Sequence, residues 1–232
     1  MLNNAKLVVF RYIYLSILLS LNIWQLQGQQ KANFINGYDL INQLHDGQLL
    51  VRLKSHHNKL TALQGELDST SKNIKYQQRV QKEIHYLMAE RDSFNKNLIL
   101  AMQSYFKFCP VFYFYDKDFP ELKKSNFTSS LYLDSTLEAR QNINLVGDVQ
   151  VIMAVGETKE QGLEAFIFMN KYGNKLPPPF PAYMRLNSLV PLMNGLFYDN
   201  HYALDAAYYS KKLQKKFSKL YKKASIREIE EE

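Results

Sequence analysis

The spacing of apolar positions changes several times along the chain, and each change marks an element. Residues 12–24, YIYLSILLSLNIW, form one uncharged apolar run. Over 29–47 the apolar residues Phe34, Ile35, Leu40, Ile41 and Leu44 recur with partial helical spacing, and Asp46-Gly47 marks a turn. Residues 48–53 then alternate, with Leu49, Val51 and Leu53 on one side and Arg52 on the other, which predicts a short strand.

From His56 to about Phe106 the period is helical and no proline interrupts it. Leu60, Leu63 and Leu67 share one face. Val80, Ile84, Leu87, Phe94 and Leu98 share another in the three-four spacing of a coiled coil, with Arg91 in the same register. Asp68-Ser69-Thr70-Ser71 between them is rich in capping residues, so two helices meeting near 68–72, or one long helix with a weak point, are expected. Such a hairpin either packs on its own domain or projects as an arm. The polar residues Thr70, Gln77 and Arg91 favour packing.

Pro110 ends the helical pattern, and the aromatic, β-branched run 111–115 predicts a buried strand. Further strands are expected at 130–133, 149–155, 165–170 and 182–186, with a turn at 170–174 where Gly173 can take positive φ. The proline run 177–181 predicts an extended connector. Near the end Tyr202, Ala206, Tyr209, Leu213, Phe217 and Leu220 give one apolar helical face, and 228–232 is an acidic tail expected to fray. These elements predict an α+β domain over 29–227. It has a mixed β-sheet, a long helical hairpin or coiled-coil-like segment (56–106) after the first strand, and a C-terminal amphipathic helix.

Charge gives the opening run a meaning. Lys6 and Arg11 precede the apolar core, and a polar stretch ending in Gly28 follows it, which is the layout of a cleaved secretory signal. The core after Arg11 is shorter than the roughly 20 residues that span a bilayer, although an uncleaved anchor over 7–26 is the competing reading. Export implies a periplasmic or extracellular location. Residues 1–28 contain no acid, so cleavage lowers the formal charge of +7 by two. The remaining positive balance bears on solubility and encounter rather than on fold.

Candidate chemistry is sparse. The single cysteine, Cys109, lies in the apolar stretch FKFCPVFYFYD, can form no internal disulfide, and reads as a buried core residue. Asp116 and Asp118 follow the strand at 111–115, where paired carboxylates can hold a metal or supply a nucleophile. With Cys109 they form a weak candidate site. His45, His56, His57, His85 and His201 show no zinc-type spacing. GxSxG, SxxK, Walker and Rossmann patterns are absent. No residue is assigned as catalytic or metal-binding, no cofactor is expected, and the balance leans against an enzyme.

The last helix carries Lys211, Lys212, Lys215, Lys216, Lys219, Lys222 and Lys223, a face that could meet an anionic partner or membrane surface. The scarcity of arginine there, together with export, argues against nucleic acid. Asn126-Phe127-Thr128 fits the N-glycosylation acceptor, and Asp68-Ser69-Thr70 and Asp134-Ser135-Thr136 fit the O-glycosylation acceptor of exported Bacteroidota proteins.

Three resemblances can be tied to particular residues. Asp116-Lys117-Asp118 resembles the first motif of haloacid-dehalogenase-like phosphatases. However, Phe119-Pro120 replaces the small turn of that family, and no second acid follows Gly147-Asp148. The segments LQGQQ, DGQLLVRLKS, FKFCPVFYFYDKD and FPAYMRL together resemble uncharacterised exported proteins of Bacteroidota, which implies an envelope location without an assigned activity. The order strand, helix, strand and later hairpin is loosely similar to thioredoxin-like folds, without their redox cysteine pair. The leading expectation is an exported, non-catalytic interaction protein with a protein partner in the envelope and an open oligomeric state. A small-ligand binder with a cavity lined by Tyr113, Phe166 and Phe168, or a degenerate enzyme domain, is the alternative.

Overall fold

The structure is a computed structural model that describes residues 36–69, 73–128, 130–139, 145, 151–158, 161–186, 189–197 and 201–231. The apolar run at 12–24 lies outside them. Among the described residues no helix is long and apolar enough to cross a membrane.

Helix α1 (Gly37–Asp46) begins at a capping box, in which the Asn36 side chain accepts from Tyr38 and Asp39 N–H while Asp39 reaches back to Asn36 N–H. Its first residue must be small. A Cβ on Gly37 would stand 2.4 Å from Phe180 N and 2.6 Å from Pro177 O. Strand β1 (Leu49–Leu53) follows, then helices α2 (His57–Ser69) and α3 (Ile74–Tyr105), β2 (Val111–Tyr115), a 3-10 turn (Asp116–Asp118) and α4 (Phe119–Lys124). Strands β3 (Val151–Glu157), β4 (Glu164–Met169) and β5 (Tyr183–Arg185) precede α5 (Leu189–Phe197) and α6 (His201–Glu231).

The five strands form one mixed sheet in the order β2-β1-β3-β4-β5. β1 is parallel to both β2 and β3, and β4 is antiparallel to β3 and β5. The fold is α+β, with the long helical hairpin after the first strand and the amphipathic helix at the end. β1 is buried on both faces, as parallel strands covered by helices are. One face, through Leu50, Phe114 and Ile152, packs on Leu122, Phe127 and Tyr132. The other face receives α6, through Phe166 against Tyr209 and Phe168 against Phe217, and also α3, whose Arg91 lies over Tyr115. The β1-to-β2 crossover through α2 and α3 and the β2-to-β3 connection through α4 therefore lie on opposite faces. That makes the β1/β3 boundary the topological switch point of the sheet.

The helical segment divides as its capping residues suggest. α2 lies back along α3 through Leu63, Val80 and Leu87, flanked by Leu60, Leu67, Tyr76 and Ile84. Three local expectations change. Residues 130–133 form no strand, only an isolated bridge from Leu133 to Tyr113 and to Ala139, because Tyr132 turns into the core and bonds Phe127 O. The 177–181 run is a turn closed by Phe180 N–H on Pro177 O, which buries Phe180 against Phe168 and Phe217 rather than extending. The last helix runs to Glu231, through most of the acidic tail. The turn at 170–174 forms as the residues imply, with Asn170 Oδ1 accepting from Tyr172 and Asn174 N–H and Gly173 at φ 86°.

Candidate functional site

The carboxyl ends of β1, β2 and β3 lie along one edge of the sheet, where open α/β sheets place their ligands. At this edge β1 runs into Lys54-Ser55-His56 and enters α2 at once. His56 holds φ 53°, in the left-handed region that non-glycine residues seldom occupy. The corner is pinned from two directions. Asp116, just past β2, accepts from Ser55 N–H at 3.0 Å and from the Ser55 hydroxyl, while the hydroxyl oxygen accepts from His57 N–H at 3.2 Å. From the helical side Arg91 donates to Ser55 O at 3.2 Å and Asn95 Nδ2 to Lys54 O at 3.0 Å. Burial and the neighbouring Lys54 charge push the His56 imidazole below its ordinary pKa.

A cleft opens on each side of this corner. One carries Arg52, Ser55, His56, His57 and Asp116. The other, about 300 Å³, lies under α3 and the first turns of α6. In that second cleft Lys54 is paired with Glu164 at 3.2 Å, and Arg91 with Asp92 at 2.7 Å. Asp205, 8 % exposed, accepts from Asn194 at 2.5 Å. Burial and the Glu90 carboxylate raise the Tyr202 phenol. Asn95 is fully buried, and its Oδ1 has no hydrogen-bond partner.

The three residues singled out after the helical segment do not converge. Asp116 is at the carboxyl end of β2 with His56 and His57. Cys109 precedes the same strand at its opposite end, buried, with burial pushing the thiol up to about 12. Asp118 faces neither cleft, and partial burial raises its carboxyl. Among the described residues no group of three or more His, Cys, Asp or Glu could hold a metal ion. Tyr113, Phe166 and Phe168 are packed side chains of the core; Phe168 also lines a separate cleft of about 260 Å³ with Ile167, Met169 and Tyr183, which Tyr113 and Phe166 do not reach.

The basic helix places Lys211, Lys215, Lys219 and Lys222 at solvent-facing positions in line with exposed Leu204 and Tyr208, while Lys216, also exposed, reaches Tyr183 O. Beside it stands α5, LVPLMNGLF, without a charge. Leu189, Leu192, Met193, Leu196 and Phe197 are all exposed, the last two at 68 % and 69 %. Leu192 and Leu196 share a surface groove with Arg185 and Lys212. The uncharged run 189–197 is plain in the sequence but does not by itself show which side stays bare.

This α+β domain with a β2-β1-β3-β4-β5 sheet finds no match among family models, curated proteins or solved structures.

Proposed function

We propose that the chain is an exported, non-catalytic protein of the cell envelope that docks peripherally on an anionic membrane surface through α5 and the neighbouring lysines of α6. The observation that supports this reading is the exposed apolar row of α5 next to cations: Leu192 and Leu196 beside Arg185 and Lys212. An apolar helix face bordered by basic side chains is the layout of an interfacial helix, which sinks its apolar residues to the acyl boundary and sets its cations among the headgroups. Each large side chain buried in this way contributes about 1.5–3 kcal/mol. Each lysine held near an anionic surface adds about 1 kcal/mol. No acid interrupts α6 between Ala206 and Arg227, so the same surface repels basic partners.

The reading is tested by co-sedimenting the chain from Gln29 onward with vesicles of phosphatidylglycerol and phosphatidylcholine, against vesicles of phosphatidylcholine alone. Binding to the anionic vesicles is expected, with loss in a Leu196→Glu, Phe197→Ser double variant. Equal binding to neutral vesicles, no binding, a dimer abolished by the same substitutions, or a protein partner captured through α5 each overturns it.

A further inference from the structure

Apart from membrane docking, we infer that the crevice between α3, the first turns of α6 and the switch-point edge of the sheet binds the ammonium group of a small organic amine. Three independent observations carry this. First, Asn95 is a fully buried residue at the wall of a crevice of about 300 Å³, and its Oδ1 has no hydrogen-bond partner. Donation from Nδ2 to Lys54 O fixes which way the amide faces, so the unsatisfied atom is the oxygen. A buried acceptor left unpaired costs about 1–3 kcal/mol, and a bound N–H donor removes that cost.

Second, the charges around the crevice are unbalanced. Lys54 and Arg91 are each matched by their own carboxylates, Glu164 and Asp92. Among the described residues Glu90 and Asp205 have no ion pair. Asp205 accepts from the neutral amide of Asn194 and is nearly buried. A buried carboxylate calls for a cation, and among the described residues none pairs with Asp205.

Third, the lining includes the aromatic residues Phe94, Tyr202 and Tyr209, and aromatic rings attract an ammonium ion. An acceptor, two carboxylates that among the described residues hold neutral donors but no cation, and aromatic side chains suit a donor-only cation. A carboxylate or phosphate would meet Glu90 and Asp205 at close range. The volume is at the small end for ligand sites, which limits the ligand to a few heavy atoms beyond the ammonium group.

Isothermal titration calorimetry of the chain from Gln29 onward at pH 7 with n-butylamine, butan-1-ol and butanoate tests the class. Saturable binding of n-butylamine is expected, with butan-1-ol and butanoate at least about tenfold weaker, a difference of about 1.4 kcal/mol. Asp205→Asn and Glu90→Gln are each expected to weaken the amine by about tenfold. Glu90 is exposed, so its substitution leaves folding intact even if a change at Asp205 does not. Chemical-shift change at the Asn95 side-chain amide on titration, absent in Asn95→Leu, places the ligand at the orphan oxygen. Butan-1-ol or butanoate binding as well as the amine, no saturation by the amine, or amine binding unchanged in both carboxylate variants overturns the proposal.

Discussion

At the scale of the residue, the corner Lys54-Ser55-His56 shows how few contacts hold the functional edge in shape. Asp116 satisfies both the amide and the hydroxyl of Ser55, so Asp116→Ala leaves two donors to find water. A loss of about 1–3 kcal/mol is expected, read as a lower urea midpoint at unchanged slope. His56 gives a pH signature. Its pKa in the folded chain lies below the 6.5 of the free side chain, because burial, Lys54 and Arg91 outweigh Asp116 and Glu90. The unfolded chain therefore binds the proton first as pH falls. The contribution of His56 is fully present above about pH 6.5 and is lost as pH drops toward the lower folded value. Urea midpoints at pH 7.5 and pH 5 should separate wild type from His56→Asn, a residue that tolerates the same backbone region, with wild type losing more on acidification. Parallel losses would show that the imidazole is not responsible. None of this is legible at residues 54–57 alone. Ser55 and Asp116 are 61 residues apart, and a histidine pair after a strand reads in sequence only as two diverging side chains.

At the scale of the element, most boundaries follow from local physics, and their adhesion does not. The helical period of 56–106, the capping residues near 68–73 and Pro110 specify α2, α3 and the start of β2 to within a few residues. What the helices cling to differs sharply along their length. The α2–α3 hairpin is closed by a small group, Leu63, Val80 and Leu87. The last turn of α3 leads into the aromatic cluster around Phe217, which touches Phe106, Phe108, Phe168 and Phe180. Two substitutions should therefore behave differently. Phe217→Ala is expected to cost about 3–5 kcal/mol and to lower protection across the whole sheet in hydrogen exchange. Leu63→Ala is expected to cost about 2–3 kcal/mol and to speed exchange in α2 and the facing turns of α3, leaving the sheet amides unchanged. Uniform exchange in both variants would mean that the hairpin and the sheet open as one unit. The proline run 177–181 shows the limit of local reading. Its residues favour extension, yet burying Phe180 between Phe168 and Phe217 outweighs that preference and closes a turn against Gly37.

At the scale of the whole molecule, the proposed membrane contact combines apolar and charged terms, and salt separates them. Raising ionic strength from about 0.05 to 0.5 M shortens the reach of the lysines to a few ångströms and leaves the apolar term of α5 intact. Vesicle binding should fall severalfold with salt without vanishing. Arg185→Gln, Lys212→Gln and Lys216→Gln together should remove most of the salt dependence, measured by the same co-sedimentation. A salt-independent affinity would assign the contact to α5 alone. Apart from α4 and α5, which it did not mark, and a strand at 130–133 that does not form, the sequence by itself determined the order of elements: strand after turn, paired helices, stop at Pro110, and a final amphipathic helix with its lysines outward. These rest on side-chain period, capping and backbone restriction, which act over a few residues. Only the tertiary structure decided that β1 lies between β2 and β3, that Asp116 meets Ser55, that Asn95 reaches Lys54 with its oxygen unpaired, and that the apolar side of α5 is left bare. Those outcomes depend on which distant surfaces bury one another, and the free energy of that choice belongs to pairs of elements rather than to any stretch of sequence.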